Sequence, residues 1–309
     1  MDTRRIKKAL RHPRYILANV LEWGFVNHTF SDVSYLKLMY RFRTGRKLDW
    51  DNPRRFNEKI QRLKLLNNSD FCTRLVDKVG IKEYVTEKLG EGYVFPNLGV
   101  YNSFEEIDFD SLPDQFVLKT THDSGTVVIV KNKAIFDKEA ANKKLTKALS
   151  RNYYWEGREL PYKNVKPRIV AEPYMTDGTG GLNDYKFFCF DGKPTYLFYA
   201  SERDNPQGLP PKFDFYDMEL NHLPIQCNGH ENSKTPLVPF PEFEQMKKIA
   251  AVLSEGFPHV RVDLYLINHR IYVGEMTFHH DGGFVSFIPD EWDYTFGEHI
   301  DLKKLINIK

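Results

Sequence analysis

At 309 residues, with 41% hydrophobic and 28% charged side chains, the chain has the composition of a globular protein with a full core, not of a disordered, collagenous or fibrous one. Its longest run free of charged residues, Gly92 to Phe104, falls short of the roughly 18 apolar residues a membrane span needs. The net charge of +2 conceals an asymmetry: residues 1–47 carry 11 Lys and Arg against 3 Asp and Glu, a local +8 that leaves −6 for residues 48–309.

From Arg4 to Val26 the pattern is basic and helical in period, interrupted at Pro13, which predicts two short amphipathic helices. Arg11, His12, Pro13 and Arg14 break what would have to be the apolar core of a signal peptide. Cys72, Cys189 and Cys227 show no C-x-x-C spacing, so a reducing, cytoplasmic setting is expected over a disulfide framework or a zinc knuckle. Asn52-Pro53 reads as an N-cap followed by Pro at the first helical position, opening a helix through Phe56, Ile60, Leu63 and Leu66. A second helical stretch runs from Ser69 to Leu89 and stops at Gly90.

The texture changes after Pro113. Strands are expected at Gln115–Lys119 and Thr126–Lys131 around a polar loop, then a helix at Asp137–Arg151. Further strands follow at Arg168–Met175, Tyr185–Phe190 and Pro194–Ala200, the last two joined by a turn at Asp191-Gly192. A helix at Pro241–Glu255 precedes a final strand pair, His259–Ile267 and Ile271–Phe278. Helices first and mainly antiparallel strands later make an α+β protein.

Two constellations carry chemistry. Lys119 ends a strand beside the small polar loop Thr120–Gly125, whose N–H groups and hydroxyls suit phosphate while the lysine supplies a point charge. An ordinary hairpin ending in a solvated lysine is the plain alternative. In the second, alternation puts Arg261, Asp263 and Tyr265 on one strand face, and Val273, Glu275 and Thr277 on one face of the next. For Asp263 to oppose Glu275, Ile267 must pair with Ile271 across a three-residue loop, Asn268 to Arg270; a two-residue loop sends the carboxylates to opposite faces. In the favourable register the two acids suit Mg²⁺ bound together with substrate phosphates.

These elements, with Asn52-Pro53, Phe56-Asn-Glu-Lys-Ile60, Asp77-Lys78, Lys82-Glu83-Tyr84-Val85, Leu112 to Lys119, Asp184-Tyr-Lys186-Phe-Phe-Cys-Phe190, Phe215-Tyr-Asp217 and Gly274-Glu275-Met-Thr277-Phe278, resemble the ATP-grasp superfamily in its teichuronopeptide-biosynthesis (TupA-like) branch. The resemblance implies an ATP-grasp fold, two α+β subdomains clamping ATP, preceded by an N-terminal helical region. It divides the chain into a basic helical region (1–50), a helical pre-grasp region (51–114), a small lid subdomain (115–178) and a large C-terminal subdomain (179–309). It further implies that Lys78 and Lys119 lie near the phosphates under a loop including His122, Ser124, Gly125 and Thr126. It implies as well that Glu172, Tyr174 and Met175 belong to the hinge that recognises adenine and ribose, and that Asp263 and Glu275 are the metal-binding acids, with Thr277 where the superfamily usually has Asn.

The implied reaction is ATP- and Mg²⁺-dependent amide formation from a carboxylate and an amine through an acylphosphate. Arg261 and Lys119 would act on the reacting groups, and neutralisation of Asp263 is the alternative for Arg261. Lys186, Arg203 and His279 are candidates for the substrate. The branch suggests an amino acid or small amine joined to a uronic-acid carboxylate of a sugar or glycan in bacterial surface-polysaccharide biosynthesis. Asp108-Phe109-Asp110 is the cue for the alternative of a glycosyltransferase, and non-catalytic nucleotide binding is a third reading. Residues 1–26 could bring a cytoplasmic enzyme to the inner face of an anionic membrane or to a polyanionic glycan, with a helix packed on the body as the alternative. No nucleic acid partner is expected, since no reader motif accompanies the basic head.

Overall fold

Along one central strand Phe187 and Phe188 point to opposite faces, and each anchors a different core. The computed structural model describes residues 13–22, 24–177, 182–203 and 208–307. Its main helices are α1 (Pro13–Leu21), α2 (Asp32–Thr44), α3 (Phe56–Leu66), α4 (Asp70–Val76), α5 (Gly80–Leu89), α6 (Lys138–Leu149), α7 (Phe243–Ser254) and α8 (Glu291–Glu298). The strands are β1 (Gly99–Tyr101), β2 (Phe116–Thr120), β3 (Val127–Val130), β4 (Ile169–Pro173), β5 (Asp184–Phe190), β6 (Lys193–Ser201), β7 (Lys212–Tyr216), β8 (His222–Leu223), β9 (Gln226–Cys227), β10 (His259–Ile267), β11 (Arg270–Thr277) and β12 (Phe287–Ile288).

Pairing is antiparallel throughout these strands. A small sheet has the order β1-β4-β2-β3, a large sheet the order β11-β10-β5-β6-β7-β8, and β12 pairs with β9. The α+β expectation is met. On one face of the large sheet, Phe187, Val260 and Val262 pack against α7 through Met246 and Leu253 and against α4 and α5 through Leu75, Ile81 and Val85. On the other, Phe188, Phe190 and Phe215 meet Phe56, Ile60 and Leu63 of α3 and Phe296 of α8. The small sheet packs Phe116, Leu118, Ile169 and Ala171 against Ala141 and Leu145 of α6. Each such aromatic or aliphatic side chain contributes about 1.5–3 kcal/mol when fully buried.

Several boundaries differ from the sequence reading. Pro13 opens α1, in line with the break expected there, and residues 1–12, where the first of the two short helices was expected, lie outside the described residues. Helix α1 is docked through Ala18 and Leu21 on Tyr35, Leu36 and Met39 of α2, leaving Ile16 and Leu17 exposed. Helix α2, with Ser31 as N-cap and Gly45 as left-handed C-cap, was not anticipated. Helix α3 starts at Phe56, not Pro53, because buried Glu58 reaches back to accept hydrogen bonds from the backbone N–H groups of Arg54 (3.0 Å) and Arg55 (3.1 Å). The stretch Ser69–Leu89 is two helices with a break at residues 77–79, since Gly80 lies against the Arg74 carbonyl where a Cβ would stand only 2.4 Å away. Strand β1, within the stretch read as helical, extends the small sheet by pairing with β4.

Candidate functional site

The β10–β11 ladder does bring Asp263 opposite Glu275, but by a different route from the one expected. Ile267 pairs with Arg270 across the two-residue turn Asn268-His269, both at positive φ (49° and 60°), the twist-compatible hairpin turn. That turn alone would put the acids on opposite faces. A bulge corrects the phase: Leu264 pairs with Val273 and Asp263 with Glu275, so Gly274 is the extra residue. Glycine is required there because the Tyr265 ring packs over it, 2.6 Å from where a Cβ would sit.

On that face of the large sheet the charges alternate. Arg203 donates to Asp184, Lys186 donates to Asp184 (3.1 Å) and to Asp263 (2.5 Å), and Arg261 grips Asp263 through Nε and Nη2 at 2.6 Å each. Arg261 Nη2 also reaches Thr277 Oγ1 (3.0 Å) and Glu275 Oε1 (3.3 Å), while Nη1 donates to His280 Nδ1. Burial alone would raise the Asp263 pKa, but Arg261 and Lys186 outweigh it and hold the carboxyl at about 2. Burial, aided by the Arg261 charge, pushes His280 well below the ordinary histidine value, so it is the neutral acceptor of that bond. Neutralisation of Asp263 is therefore the role in which Arg261 is seen. Glu275, by contrast, is about half exposed.

Facing this, the small sheet buries Glu172 between two lysines. Glu172 Oε2 accepts from Lys119 at 2.5 Å, and Oε1 pairs with Lys82. Burial raises the Glu172 pKa, yet the two lysines bring it below the usual carboxylate value. Lys78 sits in the break between α4 and α5, where its backbone N–H donates to the Thr121 carbonyl (3.1 Å) and its Nζ to the Asp123 carbonyl. Burial lowers its pKa, opposed by Asp123 and Glu275, with Lys119 and Glu172 also in range. The loop between β2 and β3 is cross-braced by Asp123, which accepts from Thr120 and Thr126. Ser124 and Gly125 form its exposed tip, Gly125 at φ 87°. Ser124 bonds to Tyr153, whose ring meets Tyr162 edge-on at 4.8 Å.

The structure thus places Lys119, Glu172 and Glu275 within electrostatic range of Lys78, and links Glu275 and Thr277 through Arg261 to Asp263 and Lys186, with Arg203 joined through Asp184. Tyr174 and Met175 follow β4 where the chain leaves the small sheet. His122 is placed otherwise than expected: buried, its Nε2 lies 3.2 and 3.1 Å from the Ala148 and Arg151 carbonyls, so it anchors the loop's base on the end of α6. His279 is also buried, donating from Nδ1 to Glu159 (2.9 Å) with Asn67 3.4 Å from Nε2. Asp108 accepts from the Asp110 N–H in an exposed turn.

Lys82, Asp184 and Tyr265 stand in motifs or on faces read from the sequence but were given no site role there, and Glu159 was not named. Asp184 was findable, because it lies two residues from Lys186 on one strand and must share its face. Lys82 and Glu159 gave no local signal, since their partners come from other elements.

Among the described residues no three of His, Cys, Asp or Glu cluster as a metal site. Asp263 accepts three hydrogen bonds and keeps one lone-pair position, Glu275 is open, and Thr277 adds a hydroxyl. Two carboxylates and few other protein ligands suit Mg²⁺ that completes its shell with water and phosphate, so the residues fit. Among the described residues no helix is long and apolar enough to cross a membrane.

A family model described as TupA-like ATPgrasp matches residues 58–301. Solved structures similar to the chain include a D-alanine–D-alanine ligase from Bacillus anthracis complexed with ATP, at 15% identity and TM-score 0.41, covering 75% of this chain and 63% of that one. The corresponding ligase from Helicobacter pylori gives 15% identity and TM-score 0.40, covering 74% and 61%. The ATP-grasp ligase PsnB, complexed with minimal precursor, Mg and ADP, gives 9% identity and TM-score 0.36, covering 68% and 52%. The chain therefore spans less than two thirds of each of these proteins. No curated protein matches it.

Proposed function

The chain belongs to the TupA-like ATP-grasp family, and from that premise we propose that it is an ATP- and Mg²⁺-dependent ligase joining a carboxylate to an amine. The observation that carries this reading is the convergence of Lys78, Lys119, Glu172 and Glu275 from a helix break and three strands, close enough for Lys78 to respond to the other three charges. Such a convergence matches a nucleoside triphosphate: cations for phosphate oxygens and acids for a metal ion that neutralises the rest.

In this reading the carboxylate oxygen attacks the γ-phosphorus, ADP leaves, and the amine then displaces phosphate from the acylphosphate to give the amide, losing its proton to solvent. No protein nucleophile is consumed. Lys119 and Lys78 hold phosphate charge and exclude water, Arg261 keeps Asp263 ionised and aimed, and Thr277, which donates to Glu275 at 3.2 Å, orients that carboxylate. Mg²⁺, held by Asp263 and Glu275, would neutralise phosphate charge. Lys186 and Arg203 border the substrate end. The hinge residues Tyr174 and Met175 take the base, and the loop tip Ser124-Gly125 lies over the phosphates. His279 shapes the site through Glu159.

For the substrates we take a uronic-acid carboxylate and an amino acid or small amine, in the assembly of a bacterial surface polysaccharide on the cytoplasmic side. The test is to incubate the protein with ATP, MgCl₂, glucuronate and a panel of amines, reading ADP and product mass. ADP formation that requires both substrates, with a product equal to their sum less water, is expected. UDP release from a nucleotide-sugar that persists in Asp263→Asn would sink the reading, as would ATP binding without ADP under every substrate pair.

A further inference from the structure

The small sheet ends on β3, and among the described residues no strand pairs with its outer edge. Thr120 N–H donates to the Thr126 carbonyl and Leu118 pairs with Val128, so the even-numbered residues of β3 turn their backbone toward β2. Val127 and Ile129 consequently turn their N–H and C=O groups outward. On that outer side Lys144 of α6 reaches over to donate to the Val127 carbonyl at 2.6 Å, the lysine guard that natural edge strands use. Between the edge and α6 lies a groove of about 490 Å³, floored by Ile135, Phe136, Ala140 and Ala141. Ile129 is 52% exposed and Ile135 81%, a marked apolar exposure for one rim.

The surroundings of the groove are basic. Helix α6 carries four lysines against one glutamate, and Lys131 extends the line of β3. Asp137, the acid at the groove, is occupied in capping α6 through the Ala140 N–H (2.9 Å). Lys119 and Val127 are register partners, so a strand laid along β3 would turn alternate side chains to the face of Lys119 and Ile129 and the others toward Ile135 and Phe136.

We propose that this edge binds an extended peptide of alternating acidic and apolar residues by strand addition. Its backbone pairs with the outward groups of Ile129, its apolar side chains enter the groove, and its carboxylates meet Lys131, Lys144 and the face of Lys119. A lipid surface would satisfy the charges and the isoleucines but offers no ladder to the outward N–H and C=O groups. The proposal does not depend on the ligase reading, because it needs no nucleotide.

The test uses the full chain without ATP and a fluorescent octapeptide of alternating Glu and Val, with a Lys/Val octapeptide and phosphatidylglycerol vesicles as comparators. The Glu/Val peptide is expected to bind at least about tenfold more tightly than Lys/Val. Ile135→Glu and Lys144→Glu should each weaken it about tenfold, and Ile129→Pro should abolish it with little change in thermal stability, because the N–H removed faces outward. Ile135→Glu changes an exposed side chain and keeps the test valid should Ile129→Pro unfold the sheet. Equal binding of both peptides, no peptide binding, or vesicle binding lost in the same variants while the peptide fails to bind would each overturn the proposal.

Discussion

Both sheets bury a carboxylate between two cations, but Glu172 of the small sheet and Asp263 of the large sheet are held with different hardware. In the small sheet Glu172 lies between Lys82 and Lys119, two flexible point charges, one of them with 29% of its side chain exposed. In the large sheet Asp263 lies between Lys186 and the planar fork of Arg261, both largely buried, and Arg261 is itself fixed by Thr277, Glu275 and His280. A lysine gives up one anion for another at small geometric cost, whereas a bidentate arginine holds one orientation. In the proposed reading the small sheet then supplies the exchangeable charges a phosphate captures and the large sheet a rigid platform.

The comparison breaks most visibly at Asp263. Asp263→Asn leaves Arg261 and Lys186 buried without their counter-charge and should cost about 3–5 kcal/mol in urea unfolding, with ADP release falling roughly 10²–10³-fold. Glu172→Gln, on the exchangeable side, should cost less, about 1–3 kcal/mol, and show mainly as weaker ATP binding in calorimetry. If the two costs were reversed, the assignment of rigid and exchangeable sheets would be wrong.

Acid should act on the large sheet first. His259 on β10 is fully buried against Phe56, Phe188 and Phe190, and burial lowers its pKa to about 3. An unfolded histidine titrates near 6.5, so between these values the unfolded chain binds the extra proton. The stability His259 contributes is thus full above about pH 6.5 and lost as pH falls toward 3, on the order of 3 kcal/mol by pH 4. Asp263 and Glu172, both depressed, add losses only below about pH 4. Denaturation midpoints measured from pH 7 to 4 should therefore fall in the wild type and fall less steeply in His259→Phe, the buried neutral His280 supplying part of the remaining slope.

Smaller effects sharpen the picture. Gly274→Ala should cost about 1–3 kcal/mol, because its Cβ meets the Tyr265 ring and the bulge aligning Asp263 with Glu275 is disturbed. Lys64 on α3 is fully buried with no hydrogen-bond partner for its Nζ among the described residues, and burial lowers its pKa to about 8. At pH 7 both the folded and unfolded lysine are charged, so the folded state bears the burial cost. Lys64→Met should raise stability at pH 7 by about 1–2 kcal/mol in thermal melts, and the gain should shrink as pH rises through 8 toward 10.

The division between what was legible and what was not follows the range of the interactions. Strand alternation placed Arg261 with Asp263 and Glu275 with Thr277, and the order of short motifs identified the family, because both depend on neighbours within a few residues. The same local logic failed where a distant contact overrode it. Lys78 reads as a helix residue, yet Gly80 against the Arg74 carbonyl splits that helix and presents Lys78 to the loop. His122 reads as a phosphate-loop ligand, yet the end of α6 captures its ring.

The β10–β11 hairpin shows both sides at once. The sequence by itself determined that two acids lie on neighbouring strands, since the period of two is a property of the backbone. Whether they share a face was decided only in the tertiary structure, where the ring of Tyr265 closes over Gly274, favours a bulge, and reverses the phase that the two-residue turn had set.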